Sequence, residues 1–290
     1  MKGWVTVVTG GGTGLGLIAA RALAANGAKV YITGRRKEVL DKSASIHGSP
    51  DSLGSSEGAI IPIEMDVTSK ESIQKVVEIV EREAGYVNVL VNNAGIGTGR
   101  AAAAASDGPE IYGRAMFAES IDDDFQKAYL SNCTQVYFVT AAFMPLLARA
   151  KSSPAQVPGN VINIASISGF TKWSQNSQYS YNSSKAAVIH LTRMLACELS
   201  HENIQIRVNA IAPGYFPTEL TTNSLDPQNQ SPWPLDAFQK EMKRVGAKAS
   251  RPGTDEEFAS AILNLSVNGY IWGHVMVVDG GLLLRHPSSV

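Results

Sequence analysis

The feature that most constrains the fold is a glycine-rich turn directly after an apolar run near the start of the chain. Residues 5–8 read Val-Thr-Val-Val, and residues 9–16 read Thr-Gly-Gly-Gly-Thr-Gly-Leu-Gly. This pattern predicts a short buried strand, a turn that glycine permits, and a helix that begins where the glycines end. Such a turn lets backbone N–H groups approach a diphosphate, with the positive end of the helix dipole behind them. Glycine-rich turns also occur where nothing binds, so the assignment of a diphosphate-binding site depends on the other motifs.

Strand and helix patterns alternate along the chain, which is typical of a parallel sheet covered on both faces. Apolar runs predict strands at 5–8, 30–33, 60–65, 87–91, 161–164, 204–211 and 275–278. Helical patterns lie at 15–25, 37–46, 70–84, 121–150, 181–200 and 255–265. We therefore expect an α/β fold in which residues 1–290 form one domain.

Three stretches interrupt this alternation. Residues 43–58, rich in serine and glycine, predict an exposed loop, and the alanine-rich stretch 97–118 predicts a short helix or a mobile loop. Residues 214–251 contain four prolines, and a long irregular stretch after the sixth strand favours a substrate lid. Pro145 predicts that the helix at 121–150 is kinked or ends there.

Composition argues against several classes of function. A formal charge of −1 without basic clusters argues against nucleic acid or an anionic membrane as the main partner. Two cysteines without a CxxC motif favour a reducing compartment, and five scattered histidines make a metal site improbable. The longest apolar stretch, at 136–147, is too short to span a membrane, and we expect no signal peptide before the first strand. We expect a soluble, cytoplasmic protein without a metal.

Polar side chains of the types that enzymes use in catalysis follow the fifth strand. Ser166 lies just after that strand, and Tyr181 and Lys185 are four residues apart on a predicted helix, so both can point into one pocket. Taken alone, a tyrosine and a lysine at this spacing are more often a packed core tyrosine and a solvated lysine than a catalytic pair.

The motifs together resemble the classical short-chain dehydrogenase/reductase family, and within it the 3-oxoacyl carrier-protein reductase branch. The resemblance rests on Thr9-Gly10-x-x-x-Gly14-x-Gly16, Asn92-Asn93-Ala94-Gly95, Asn132, Ser166, Tyr181-x-x-x-Lys185 and Pro213-Gly214. It implies a Rossmann-type, doubly wound parallel sheet of about seven strands. It also implies a homodimer or homotetramer formed through the long helices at 121–150 and 181–200.

The resemblance implies four catalytic residues. Tyr181 is expected to protonate a carbonyl oxygen, and the positive charge of Lys185 to lower the pKa of that phenol while holding the nicotinamide ribose. Ser166 is expected to bind the substrate oxygen, and Asn132 to hold a water that connects Lys185 to solvent. The interval from Ser166 to Tyr181 is two residues longer than the family's usual spacing, so Ser168 is the second choice for the serine.

The cofactor expected from the resemblance is NADP(H). The second strand ends without the acidic residue that repels a 2′-phosphate, and Arg35 is placed to pair with that phosphate. The implied cofactor-binding residues are Gly10, Gly12, Thr13, Gly14, Leu15, Gly16, Arg35, Asp66, Val67, Asn93, Ala94, Gly95, Tyr181, Lys185, Pro213, Gly214 and Thr218.

The function expected from these residues is NADPH-dependent reduction of a ketone to a secondary alcohol, or the reverse, with a 3-oxoacyl thioester as one possible substrate. A non-catalytic NADP(H)-binding regulator with the same fold is an alternative, although such relatives usually lose part of the Tyr–Lys pair. An NAD-dependent alcohol dehydrogenase is a third interpretation, against which Arg35 argues.

Overall fold

The computed structural model describes residues 1–54, 57–286 and 288, which contain a seven-stranded parallel sheet in the order β3-β2-β1-β4-β5-β6-β7. The strands are β1 (Val5–Thr9), β2 (Lys29–Gly34), β3 (Ala59–Glu64), β4 (Val89–Asn92), β5 (Asn160–Ile164), β6 (Arg207–Pro213) and β7 (Val275–Val278). Because β2 and β4 flank β1, the strand order reverses there, and open sheets of this kind bind ligands in the crevice at that point. The expected Rossmann-type α/β fold is confirmed.

Helices cover both faces of the sheet. They are α1 (Gly14–Ala25), α2 (Lys37–His47), α3 (Pro50–Leu53), α4 (Lys70–Glu83), α5 (Pro109–Phe117), α6 (Lys127–Tyr129), α7 (Gln135–Ala148), α8 (Tyr179–Leu199), α9 (Glu219–Thr222), α10 (Leu235–Val245) and α11 (Asp255–Val267). Single 3-10 turns lie at Ala105–Asp107, Arg149–Ser152, Ile167–Gly169 and Leu282–Leu284. Within the described part of the chain, no helix is both long and apolar enough to cross a bilayer.

The strands at the centre of the sheet, β1, β4, β5 and β6, are buried on both faces, as parallel strands between two helical layers must be. Successive side chains of β1 point to opposite sides, so Val8 belongs to the apolar cluster that contains α1 and α11. Val7 belongs instead to the cluster on the other face, which contains residues of α4, α7 and α8. The polar side chains at the strand ends are thereby held on a rigid base.

The predicted exposed loop at 43–58 is wrong in its first part. Helix α2 continues to His47, and Ser43 is fully buried, with its hydroxyl donating to the carbonyl of Gly12 at 2.7 Å. A serine whose hydroxyl finds a partner can occupy a buried helical position, and composition alone does not distinguish this case from a loop.

The stretch predicted as one helix at 121–150 is helical from Ile121 to Ala148, but it contains two turns of a type that the sequence did not predict. Two wider π-helical turns, Ile121–Gln126 and Leu130–Thr134, flank α6, and α7 then runs through Pro145 to Ala148. Such turns contain an extra residue that hydrophobic periodicity does not reveal, and they are frequent at functional sites. Asn132 lies in the second of them.

Candidate active site

A cavity of about 620 Å³ lies at the carboxyl ends of the central strands. It brings together seventeen predicted site residues, which are Gly10, Gly12, Thr13, Gly14, Leu15, Arg35, Asp66, Val67, Asn93, Ala94, Gly95, Ser166, Tyr181, Lys185, Pro213, Gly214 and Thr218. Gly16 and Asn132 are the two predicted residues that do not line it. One continuous space therefore joins the glycine turn to the Tyr–Lys pair.

The glycine turn is packed too tightly for side chains. A Cβ added to Gly16 would lie 2.2 Å from the carbonyl oxygen of Gly10 and 2.4 Å from Nδ2 of Asn93. That amide nitrogen donates to the carbonyl oxygens of Thr9 and Gly10 at 2.9 and 3.0 Å. Gly16 thus acts through packing, and Gly10, with a φ of +64°, forms the bend itself. The bare backbone before α1 leaves a cradle that fits the diphosphate of a dinucleotide.

Arg35 and Asp66 face each other at the far end of the cavity. Burial raises the pKa of Asp66, but two hydrogen bonds from Thr68 and the charge of Arg35 outweigh it and hold the pKa below its usual value. The Thr68 amide and hydroxyl donate to Oδ1 of Asp66 at 2.9 and 2.7 Å. A fixed carboxylate beside an arginine can hold the polar groups of an adenosine moiety.

The catalytic candidates meet at the other end of the cavity. Tyr181 is in the first turn of α8, and Lys185 is one turn later with its Nζ 5.8 Å from the Tyr181 ring centroid. The ammonium donates to the carbonyl of Ile164 at 2.9 Å. Ser166 lines the same space, whereas Ser168 is turned away and donates to Oε1 of Gln175 at 2.7 Å.

Burial dominates the electrostatics of this pair. It raises the pKa of Tyr181 to about 12, although the hydrogen bond to Ser166 opposes the rise. It lowers the pKa of Lys185 to about 8. The predicted fall in the pKa of Tyr181 is therefore wrong in this arrangement, because burial penalises the phenolate and the Lys185 ammonium is hydrogen-bonded to Ile164.

Asn132 lies behind the cavity wall and is buried. Its Oδ1 accepts from the amide of Ile96 at 2.7 Å, and its Nδ2 donates to the carbonyl of Ile96 and to Oγ of Ser184, both at 3.1 Å. A Cβ at Gly95 would lie 2.9 Å from that Oδ1 and 3.6 Å from Nζ of Lys185. Asn132 thus fastens the loop after β4 to α8, next to Lys185.

Comparison with known proteins identifies the family. The sequence model of the family described as short chain dehydrogenase matches residues 4–229, most of the chain. The chain belongs to the short-chain dehydrogenase/reductase family. This short-chain dehydrogenase/reductase is therefore an oxidoreductase of the kind that the motifs indicate.

Three similar proteins cover almost the whole molecule. The short-chain dehydrogenase/reductase PhomF of Diaporthe leptostromiformis is 37% identical over 299 residues, with 100% of this chain and 94% of the relative covered. The rhamnolipids biosynthesis 3-oxoacyl-acyl-carrier-protein reductase of Pseudomonas aeruginosa is 31% identical, with 98% of each covered. The solved structure of the Pseudomonas aeruginosa RhlG/NADP active-site complex has 30% identity and a TM-score of 0.75 over 97% of each chain. The resemblance to the 3-oxoacyl carrier-protein reductase branch is thereby confirmed.

The predicted site residues leave out two charged residues of this short-chain dehydrogenase/reductase cavity. Arg36 and Glu219 both line it and form an ion pair across it, with Arg36 Nη2 2.6 Å from Glu219 Oε2. Glu219 opens α9, inside the stretch predicted as a lid. The available signal was weak, since it consisted of one acidic residue after Thr218 and an Arg-Arg pair after β2.

Proposed function

We propose that this short-chain dehydrogenase/reductase is an NADPH-dependent carbonyl reductase that interconverts a ketone and a secondary alcohol. The observation that carries the proposal is one cavity with Tyr181, Lys185 and Ser166 at one end, a glycine cradle in the middle and Arg35 at the other end. A bound nicotinamide cofactor supplies the hydride that reduces the carbonyl carbon. The remaining requirements, holding the carbonyl oxygen and giving it a proton, fall to the side chains.

Tyr181 is the proton donor in this proposal, and Ser166 holds the carbonyl oxygen. A phenol with a pKa near 12 is protonated at neutral pH, so Tyr181 holds the proton that the carbonyl oxygen has to receive. Lys185, with a pKa of about 8, is mostly protonated at pH 7 and can stabilise the phenolate left behind. We assign the return of the proton from solvent to Lys185 and Asn132, whose Oδ1 lies beside Gly95.

The choice of NADP(H) over NAD(H) rests on the end of the cavity beyond β2. Arg35 lines it, and the sequence directly after β2, residues 35–37, contains no acidic residue to repel a 2′-phosphate. The NADP complex of the similar Pseudomonas aeruginosa structure supports the choice. Asp66 and Val67 are assigned to the adenine end, and Pro213, Gly214 and Thr218 to the nicotinamide side.

The substrate is proposed to be a ketone covered by residues 214–251, acting as a lid within one domain that spans 1–290. Phe216 of this stretch lines the cavity, and Phe238 and Met242 of α10 pack against Trp173 and Tyr215. The name of the similar rhamnolipid enzyme makes a 3-oxoacyl thioester the first substrate to test.

Assembly and location are part of the same proposal. Tyr137 of α7 and Met194 of α8 are half exposed, which supports a homodimer or homotetramer formed through these helices. Two free cysteines, Cys133 and Cys197, suit a reducing, cytoplasmic compartment.

The test is NADPH consumption by the purified chain with 3-oxoacyl thioesters, cyclic ketones and sugars. Tyr181→Phe removes the proton donor and is expected to abolish turnover. Tyr179→Phe is the matched control, because Tyr179 is two residues away and its hydroxyl bonds instead to that of Tyr112 at 2.7 Å. Equal loss in both variants would contradict the role of Tyr181. Tight NADPH binding without turnover across the panel would favour the regulator instead.

A further inference from the structure

The first turn of α9 lies across the cavity from the sheet. A Cβ added to Gly14 would lie 3.2 Å from Cβ of Thr218. A Cβ added to Gly97 would lie 2.6 Å from Cδ1 of Leu220. Residues 218–220 therefore bridge the space between the glycine turn and the loop after β4, and Glu219 stands between these two contacts.

The carboxylate of Glu219 occupies surroundings that suit a phosphate. Arg36 donates to it through both terminal nitrogens, at 2.8 and 2.6 Å. The hydrogen bond from Arg36 is the main cause of the lowered pKa of Glu219, and a hydrogen bond donated by the Thr13 side chain, just before α1, makes a smaller contribution. An arginine fork and a helix start are the groups that bind phosphate oxygens in proteins.

Arg35 and Arg36 differ in their partners although they are adjacent and both line the cavity. Arg36 is held by Glu219, whereas Arg35 makes no hydrogen bond or ion pair with any residue that the structure describes, and acts on Asp66 only through its charge. A 2′-phosphate at this end would meet Arg35 directly and would have to compete with Glu219 for Arg36.

We propose that Glu219 is a specificity-determining residue that competes with the 2′-phosphate of the cofactor for Arg36. This inference rests on the proposed function, because it requires a dinucleotide in the cavity. Exchange of the carboxylate for the phosphate releases the first turn of α9, so recognition of the 2′-phosphate is coupled to the stretch that covers the site. NADH, which has no 2′-phosphate, leaves the Arg36–Glu219 pair in place.

The test is fluorescence titration of NADPH and NADH into the wild-type chain and Glu219→Gln, without substrate. An exposed ion pair contributes modestly, so NADPH is expected to bind about three- to fivefold more tightly to the variant, with NADH unchanged. Glu241→Gln is the matched control, because Glu241 is also in the 214–251 stretch and paired with an arginine, Arg244, but lies outside the cavity. It should bind both dinucleotides like the wild type.

A double variant separates competition from a general effect of charge. If Glu219 acts by holding Arg36, adding Glu219→Gln to the Arg36→Gln variant should not increase the affinity for NADPH. The inference would be overturned if Glu219→Gln tightened NADPH and NADH binding equally, if it tightened NADPH binding even without Arg36, or if it left the NADPH affinity unchanged. Each of these outcomes would leave the proposed function standing. Absence of binding of either dinucleotide to the wild-type chain would contradict the proposed function as well.

Discussion

Replacing Lys185 with methionine should change how the stability of the chain depends on pH. Burial lowers the pKa of this lysine from 10.5 to about 8 in the folded chain, while the unfolded chain keeps the ordinary value. The unfolded chain therefore binds the proton more tightly than the folded chain does. Protonation of Lys185 lowers the free energy of unfolding, with its full effect below pH 8, and this effect decreases as the pH rises towards 10.5. By linkage the penalty is about 3 kcal/mol at pH 7 and about 1.4 kcal/mol at pH 9.5.

Methionine carries no titratable group, so the variant lacks this dependence. The carbonyl of Ile164 loses a donor in the variant, but that loss is nearly the same at both pH values and cancels in the comparison. Between pH 7 and pH 9.5 the free energy of unfolding of the wild type should therefore rise by about 2 kcal/mol relative to Lys185→Met.

Urea unfolding followed by circular dichroism at the two pH values measures this difference. Lys240→Met, on an exposed position of α10, is the control and should differ from the wild type by the same amount at both. A constant difference between wild type and Lys185→Met, or a change of the opposite sign, would refute the burial of a protonated ammonium beside Tyr181.

Three further predictions concern the cavity. Gly16→Ala should lower the free energy of unfolding by about 3 kcal/mol and weaken dinucleotide binding, because the added methyl group would clash with the Gly10 carbonyl oxygen. An unchanged midpoint of urea unfolding would argue against this packing. Ser166→Ala should lower kcat about 100-fold while Ser168→Ala changes it far less, as steady-state kinetics would measure; the reverse order would move the oxygen-binding role to Ser168. Arg35→Glu should raise the Kd for NADPH about 100-fold and that for NADH less than about threefold, and equal effects in titration would remove the cofactor argument.

The sheet was predictable because its strands are continuous apolar runs. A parallel strand buried on both faces has few polar residues, so all seven runs were visible, and the motifs after them fixed where Ser166, Tyr181 and Lys185 lie. The predicted strand ends were less accurate, since β6 begins at Arg207 and ends at Pro213, later than the apolar run at 204–211. Arg207 is buried because its guanidinium donates to backbone carbonyls, a contact that depends on the tertiary fold.

The remaining features depend on contacts between distant parts of the chain. The π-helical turn at Asn132 lets the side-chain amide of Asn132 accept a hydrogen bond from the backbone of Ile96, 36 residues away. Hydrophobic periodicity does not predict such a turn. The pKa of Tyr181 was expected to fall because the spacing brings Lys185 near it, but spacing gives no measure of burial. The pairing of Arg36 with Glu219 joins residues 183 positions apart and follows only from the path that residues 214–251 take across the sheet ends.

The most direct test of the central claim is the transfer of a labelled hydride. The chain would be given NADPH deuterated at the nicotinamide C4 position on its reactive face, together with the best ketone of the panel, and the alcohol analysed by mass spectrometry and NMR. The account predicts one deuterium on the carbinol carbon of every product molecule from the wild type, and no product from Tyr181→Phe. Alcohol without deuterium, or undiminished product from Tyr181→Phe, would contradict it.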